Sequence, residues 1–121
     1  MVTYHNDIAR TGQNLKETDL TIAKVNSSTF GKLRSLAVDG KVDAQHLYLS
    51  SHANIAVGSH NVLSVATEHG SVYAFDHDSV NQLRKVTNVG SGESTSTPRG
   101  CVHVTSEIGI TATPAMRRNG G

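Results

Sequence analysis

Large aromatic side chains and cysteine are scarce in this 121-residue chain. It has no Trp, two Phe, three Tyr and one Cys, and 36% of its residues are hydrophobic. A single cysteine excludes an intrachain disulfide, and so few large apolar side chains limit the core that one small domain can bury. We therefore expect at most one ordinary domain, which gains stability from a partner subunit or a ligand.

Runs of one charge and long apolar runs are missing as well. Eleven basic and ten acidic residues give a net charge of +1, without the basic patch of a nucleic-acid-binding protein. No stretch is long enough to cross a bilayer, and the start "MVTYHNDIARTG" lacks the basic-then-apolar pattern of a signal peptide. We expect no nucleic-acid or membrane partner and, for the chain as written, a cytoplasmic location.

Short β-type runs separated by turn residues make up most of what is present. The clearest are "NVLSVAT" and "SVYAFD", which flank a Glu-His-Gly corner and predict a β-hairpin. Both faces of the second run are apolar, as in a strand that is covered on both sides. "HLYLSS" predicts a strand before the hairpin, and "QLRKVTNV" predicts a half-exposed edge strand after it. Asp39-Gly40 predicts a tight turn between two further extended pieces.

These patterns predict an all-β chain of short antiparallel strands and hairpins. We expect an irregular entry segment at residues 1–30 and a β-hairpin domain at 31–115. The low-complexity stretch "GSGESTSTPRG" at 90–100 predicts a flexible loop inside that domain, and 116–121 a disordered tail.

Four segments in order resemble the pyrroloquinoline-quinone-like β-propellers. "VLSVATEHGSVYAFDHDS" resembles a blade hairpin of that family, and "YHNDIARTGQNLKETDLT" with "VNSSTFGKL" resembles the entry segment of large secreted bacterial members. "VDGKVDAQHLYL" is similar to their first inner strand, and "GCVHVTSEIGITATPAM" to the segment that leads into the next blade. The resemblance extends to about Pro114 and implies roughly two blades of four strands each.

The departures from the family pattern also have consequences. The Trp that commonly follows the blade Asp is absent, His46 stands where Pro is usual, and most blades of a full ring are missing. Since blades bury their faces on neighbours, the resemblance implies a homo-oligomer, a dimer or higher, or a small re-paired barrel or sandwich. Quinone ligands come from several blades in such proteins, so we expect no bound quinone here. Full-length relatives are expected to be secreted or periplasmic.

Histidine is frequent, with seven in the chain. His46 and His52 flank one predicted strand and His60 follows it, so the three side chains could meet at one strand end. Three imidazoles with an open position suit Zn²⁺ or copper. No tight metal-binding motif is present, and scattered surface histidines are the alternative interpretation.

The hairpin corner holds the other candidates for chemistry. Glu68 and His69 are adjacent and could act as an acid–base pair if partly buried, although a solvated turn explains them equally. Tyr73 and Phe75 share a strand face, which predicts either ordinary packing or an aromatic platform for a carbohydrate.

Two classes of function therefore remain open. The first is a propeller-derived β module that acts in binding or scaffolding, with a protein or carbohydrate ligand. The alternative is a small Zn- or Cu-dependent hydrolase or oxidoreductase that uses the histidines. The sequence has no Gly-x-Ser-x-Gly elbow and no phosphate-binding loop, so it does not decide whether the chain is an enzyme.

Overall fold

Four β-strands form one open antiparallel sheet in a computed structural model that describes residues 3–53, 55–100 and 106–116. The strands are β1 (Leu47–Ala53), β2 (Ser59–Ala66), β3 (Ser71–Asp76) and β4 (Gln82–Thr87), and they lie in sequence order. The described parts of the chain contain no helix. The all-β prediction is confirmed. The described residues form one four-stranded sheet, whereas the resemblance implied roughly two four-stranded blades.

The central hairpin follows the predicted pattern. β3 matches the run "SVYAFD", and Val65 of β2 lies opposite Tyr73 of β3. Gly70 closes the corner with φ +75° and donates its N–H to the carbonyl of Thr67. Glycine adopts this left-handed conformation without the steric cost that a Cβ brings. The corner residues thus specify the turn that pairs β2 with β3.

Side chains alternate between two buried faces of this hairpin. One face holds the cluster of Val65, Tyr73 and Phe75, against which Leu36 and Val38 of the preceding irregular segment pack. The two rings lie 5.6 Å apart and nearly parallel. The register places Val62, Ala66 and Ala74 on the opposite face, where they are buried as well. Both faces are therefore covered, as the apolar alternation predicted.

β4 is an edge strand with one half-buried residue, Leu83, among exposed ones. This agrees with the prediction from "QLRKVTNV", in which charged side chains alternate with apolar ones. β1 forms the other edge, and a register shift separates Leu49 from His52 in its pairing with β2. Among the described residues neither edge is paired with a further strand.

The predicted hairpin around Asp39-Gly40 does not form. Residues 31–46 have no strand and cross the sheet as an irregular segment. The reason is tertiary: the carboxylate of Asp39 accepts hydrogen bonds from the hydroxyls of Thr67 and Ser71, and its amide donates to the Tyr73 hydroxyl. Gly40 lies against His69, where a Cβ would be 2.9 Å from that side chain's own Cβ. These contacts replace local strand pairing.

The entry segment consists of turns and bends over residues 3–30. It contacts the rest of the chain at one end, where the amide of His5 donates to the Gln45 side chain. The loop at 90–100 carries an isolated bridge between Ser96 and Ile108. Residues 101–105 of the last β-type stretch and 117–121 of the predicted tail lie outside the described residues.

Candidate functional site

The β2–β3 corner brings together polar side chains from distant parts of the sequence. Glu68 is completely buried, although it occupies a turn. Its Oε2 accepts hydrogen bonds from the amide of Gly109 at 2.7 Å and from the hydroxyl of Thr111 at 3.0 Å. Its Oε1 is buried and has no hydrogen-bond partner among the described residues. The carboxylate therefore binds the segment that follows the long loop.

His69 has a different partner from its neighbour. Its Nδ1 lies 3.0 Å from Oε2 of Glu107, and the hydroxyl of Thr95 donates to the same oxygen at 2.6 Å. The Thr95 hydroxyl, followed by His69, lowers the pKa of Glu107. Glu68 and His69, predicted as a pair, thus contact separate residues of the segment 107–111, here called the strap.

The arrangement of His69 and Glu107 has a chemical consequence. A carboxylate beside Nδ1 favours the tautomer with the proton on that nitrogen, so that Nε2 becomes the atom able to accept a proton. The same orientation serves general bases in enzymes. The imidazole here is half exposed, and acid–base catalysis at this corner stays a prediction. Glu107 was not singled out from the sequence because 38 residues separate it from His69.

A second charged pair lies at the opposite end of β3. Asp76 places Oδ2 at 2.6 Å from Nδ1 of His60, while its Oδ1 accepts from the amides of Asp78 and Ser79 and from the Ser79 hydroxyl. The Ser79 amide and then His60 hold the pKa of Asp76 below its ordinary range. In turn Asp76 raises the pKa of His60. Asp76 therefore shapes the turn that follows β3 and also fixes His60.

The three histidines predicted as metal ligands are placed differently from one another. His46 is exposed just before β1, and His52 lies opposite His60 in the register of β1 and β2. The side chain of His52 lies outside the described part of the structure. The second ring nitrogen of His60, Nε2, is 3.0 Å from the carbonyl of Val57, so His60 would exchange this contact for a metal. Within the described ranges no three His, Cys, Asp or Glu side chains are grouped to hold an ion. The metal site stays a prediction.

A groove of about 510 Å³ opens between the end of the entry segment and the β3–β4 turn. Its walls are mostly apolar and include Phe30, Leu33 and Val80. The guanidinium of Arg34 donates to the carbonyls of His77 and Asp78, at 3.2 and 2.7 Å, and so ties the two walls together. The sequence did not predict this groove, because its walls come from segments that are far apart along the chain.

The fold and these sites define an all-β chain with one open antiparallel sheet. No protein-family model, curated protein or solved structure matches the chain. None of the described residues forms a helix of the length and apolarity that crossing a membrane requires. Membership of the quinone-type propellers stays a prediction from the resemblance.

Proposed function

We propose that this chain is a propeller-type β module that acts in binding or scaffolding and assembles with further copies of itself. One observation carries the proposal: large apolar side chains are exposed along the entry segment. Ile8 is 98% exposed, Leu15 is 88% exposed and Ile22 is 99% exposed. The entry segment thus exposes several large apolar side chains, which a partner surface could cover.

The sheet supports the same proposal. Its strand order is that of a four-stranded propeller blade, and both edges are open in the described part of the chain. A blade buries its faces on neighbours, and an open edge is a template for pairing with another strand. Assembly with other copies would cover surfaces that a single copy leaves exposed.

A protein ligand is favoured over a carbohydrate. The aromatic platform that the sequence offered consists of Tyr73 and Phe75, and each of these is only 4% exposed. They pack against each other and under Leu36 and Val38, where a sugar ring cannot stack on them. The groove beside Phe30 and Leu33 instead offers apolar side-chain surface, which suits contact with a polypeptide.

Light scattering coupled to size exclusion tests the proposal on the intact chain. We expect a defined oligomer that the substitution Ile22→Lys weakens, because a charge would replace an exposed apolar side chain at the contact surface. Thr18→Lys is the matched control, since it adds the same charge at an exposed polar position of the same segment. A monomeric wild-type chain, or equal weakening by both substitutions, would contradict the proposal.

The alternative function, a Zn- or Cu-dependent hydrolase or oxidoreductase, depends on His46, His52 and His60. Neither the described geometry nor the comparisons favour it over the binding module. Elemental analysis of untagged protein separates the two.

A further inference from the structure

The strap contacts the β2–β3 corner at Glu107 and at each of residues 109–111. Glu107 lies beside His69, while the amide of Gly109 and the hydroxyl of Thr111 donate to Glu68. The amide of Ile110 donates to the carbonyl of Thr67, and Ile108 pairs instead with Ser96. The corner thus holds a short segment through both its side chains and its backbone.

Gly109 fits the corner because it has no side chain. A Cβ at this position would lie 2.1 Å from the carbonyl oxygen of Glu68 and 2.7 Å from the amide nitrogen of Gly70. Both atoms belong to the backbone of a tight turn, so they cannot move aside as a flexible side chain could. The corner therefore accepts only glycine at the middle position of the segment.

Glu68 needs the strap in order to stay buried. A carboxylate without hydrogen-bond donors is costly inside a protein, and both donors to Oε2 come from the strap. With the strap removed, Glu68 would lose both of these donors while Oε1 already has none among the described residues. The corner therefore has the properties of a binding site whose occupant is a peptide segment.

We propose that the β2–β3 corner is a docking site for a segment of the pattern Glu-x-Gly-x-Thr, which a second copy of this chain can supply in place of the chain's own strap. The inference rests on the proposed self-assembly. β4 ends at Thr87, twenty positions before Glu107, and a connection of that length spans up to about 65 Å once the contacts of Thr95 and Ser96 with the strap are released. That reach allows the strap to dock on its own corner or on that of a neighbour, which is how swapped oligomers form at low cost.

A labelled peptide in solution tests the docking site. The peptide SEIGITATP carries the pattern, and the control peptide SEIVITATP has Val at the position of Gly109. The intact chain with Gly109→Val presents an empty corner, because its own strap no longer fits. We expect this variant to bind the first peptide saturably, measured by fluorescence anisotropy, and the Val peptide more than about a hundredfold more weakly, since a buried clash with backbone has no means of relief.

The wild-type chain provides the competition control. Its corner already holds the strap, so we expect it to bind the labelled peptide at least about tenfold more weakly than the variant does. Equal binding of the two peptides, or no binding by a variant that retains the circular dichroism of a β-sheet, would overturn the proposal.

If Gly109→Val fails to fold, Thr111→Val takes its place. This substitution removes one hydrogen-bond donor to Glu68 but leaves Gly109 able to pack against the corner. The strap therefore binds its own corner more weakly but can still occupy it. Stronger peptide binding than by the wild type supports the proposal, and unchanged or weaker binding overturns it. The two proposals can fail separately: a monomer that binds the peptide contradicts self-assembly alone, and an oligomer that does not bind it contradicts the docking site alone.

Discussion

Replacing Asp39 with alanine is expected to destabilise the sheet strongly. Its carboxylate accepts hydrogen bonds from the hydroxyls of Thr67 at 2.9 Å and Ser71 at 2.5 Å, and pairs with Lys85 at 2.9 Å. Burial raises the pKa of Asp39, but the Ser71 hydroxyl and Lys85 outweigh this effect and hold the pKa below its ordinary value. The carboxylate is thus charged and strongly solvated by the protein.

The magnitude follows from these contacts. Hydrogen bonds to a charged group contribute about 1.5 to 3 kcal/mol each, and the ion pair with a partly exposed Lys85 adds about 1 kcal/mol at most. Some of this is recovered, because the Ser71 hydroxyl also lies 3.1 Å from that of Thr87. We expect Asp39→Ala to lower the free energy of unfolding by about 2 to 4 kcal/mol. Domain stabilities are about 5 to 15 kcal/mol, so the loss is large.

Urea unfolding followed by circular dichroism measures this loss, with Asp43→Ala as the control. Asp43 also pairs with a lysine, Lys41, at 3.0 Å, but the structure gives it no buried hydroxyl donors among the described residues. An exposed ion pair contributes about 0 to 1 kcal/mol, so the control is expected to change stability little. Equal effects of the two substitutions would refute the reasoning that Asp39 acts as an acceptor that holds the irregular segment on the sheet.

Three further predictions concern acid, glycine and metal. The pKa values of Asp39 and Asp76 are lowered in the folded state, so the two carboxylates stabilise the fold above about pH 4. This contribution to the free energy of unfolding is lost as the pH falls through the pKa values of the folded state, and thermal unfolding at several pH values measures the loss. Gly70→Ala is expected to cost about 2 kcal/mol, because its φ is positive and the new Cβ would meet a methyl group of Val89. Gly12→Ala is expected to cost about 1 kcal/mol or less, because Gly12 has a similar positive φ but lies in open space, and urea unfolding compares the two variants. Untagged protein is expected to contain no stoichiometric metal by elemental analysis, and zinc or copper lost on His46→Ala would contradict this and favour the enzyme.

Local patterns predicted the strands and failed where a segment is shaped by distant contacts. The run "SVYAFD" becomes β3 because its β-branched and aromatic residues alternate over both covered faces of a sheet. Asp39-Gly40 has an equally good local signal for a hairpin, but Asp39 binds Ser71, 32 residues further along the chain. A turn propensity of order 1 kcal/mol does not outweigh several charge-assisted hydrogen bonds. Tertiary contact decides the conformation of this segment.

The candidate site shows the same limit at the level of single residues. A Glu beside His in a tight turn predicts a solvated corner, yet Glu68 is completely buried. Its donors, Gly109 and Thr111, lie 41 and 43 residues away, and no sequence motif predicts that they contact Glu68. Because a buried carboxylate is tolerated only with its donors in place, the corner and the strap depend on each other. The stability of the sheet thus depends on the strap, which belongs to none of its strands. If the strap of one copy docks on a neighbouring copy, its own corner needs the strap of another copy to supply the donors to Glu68.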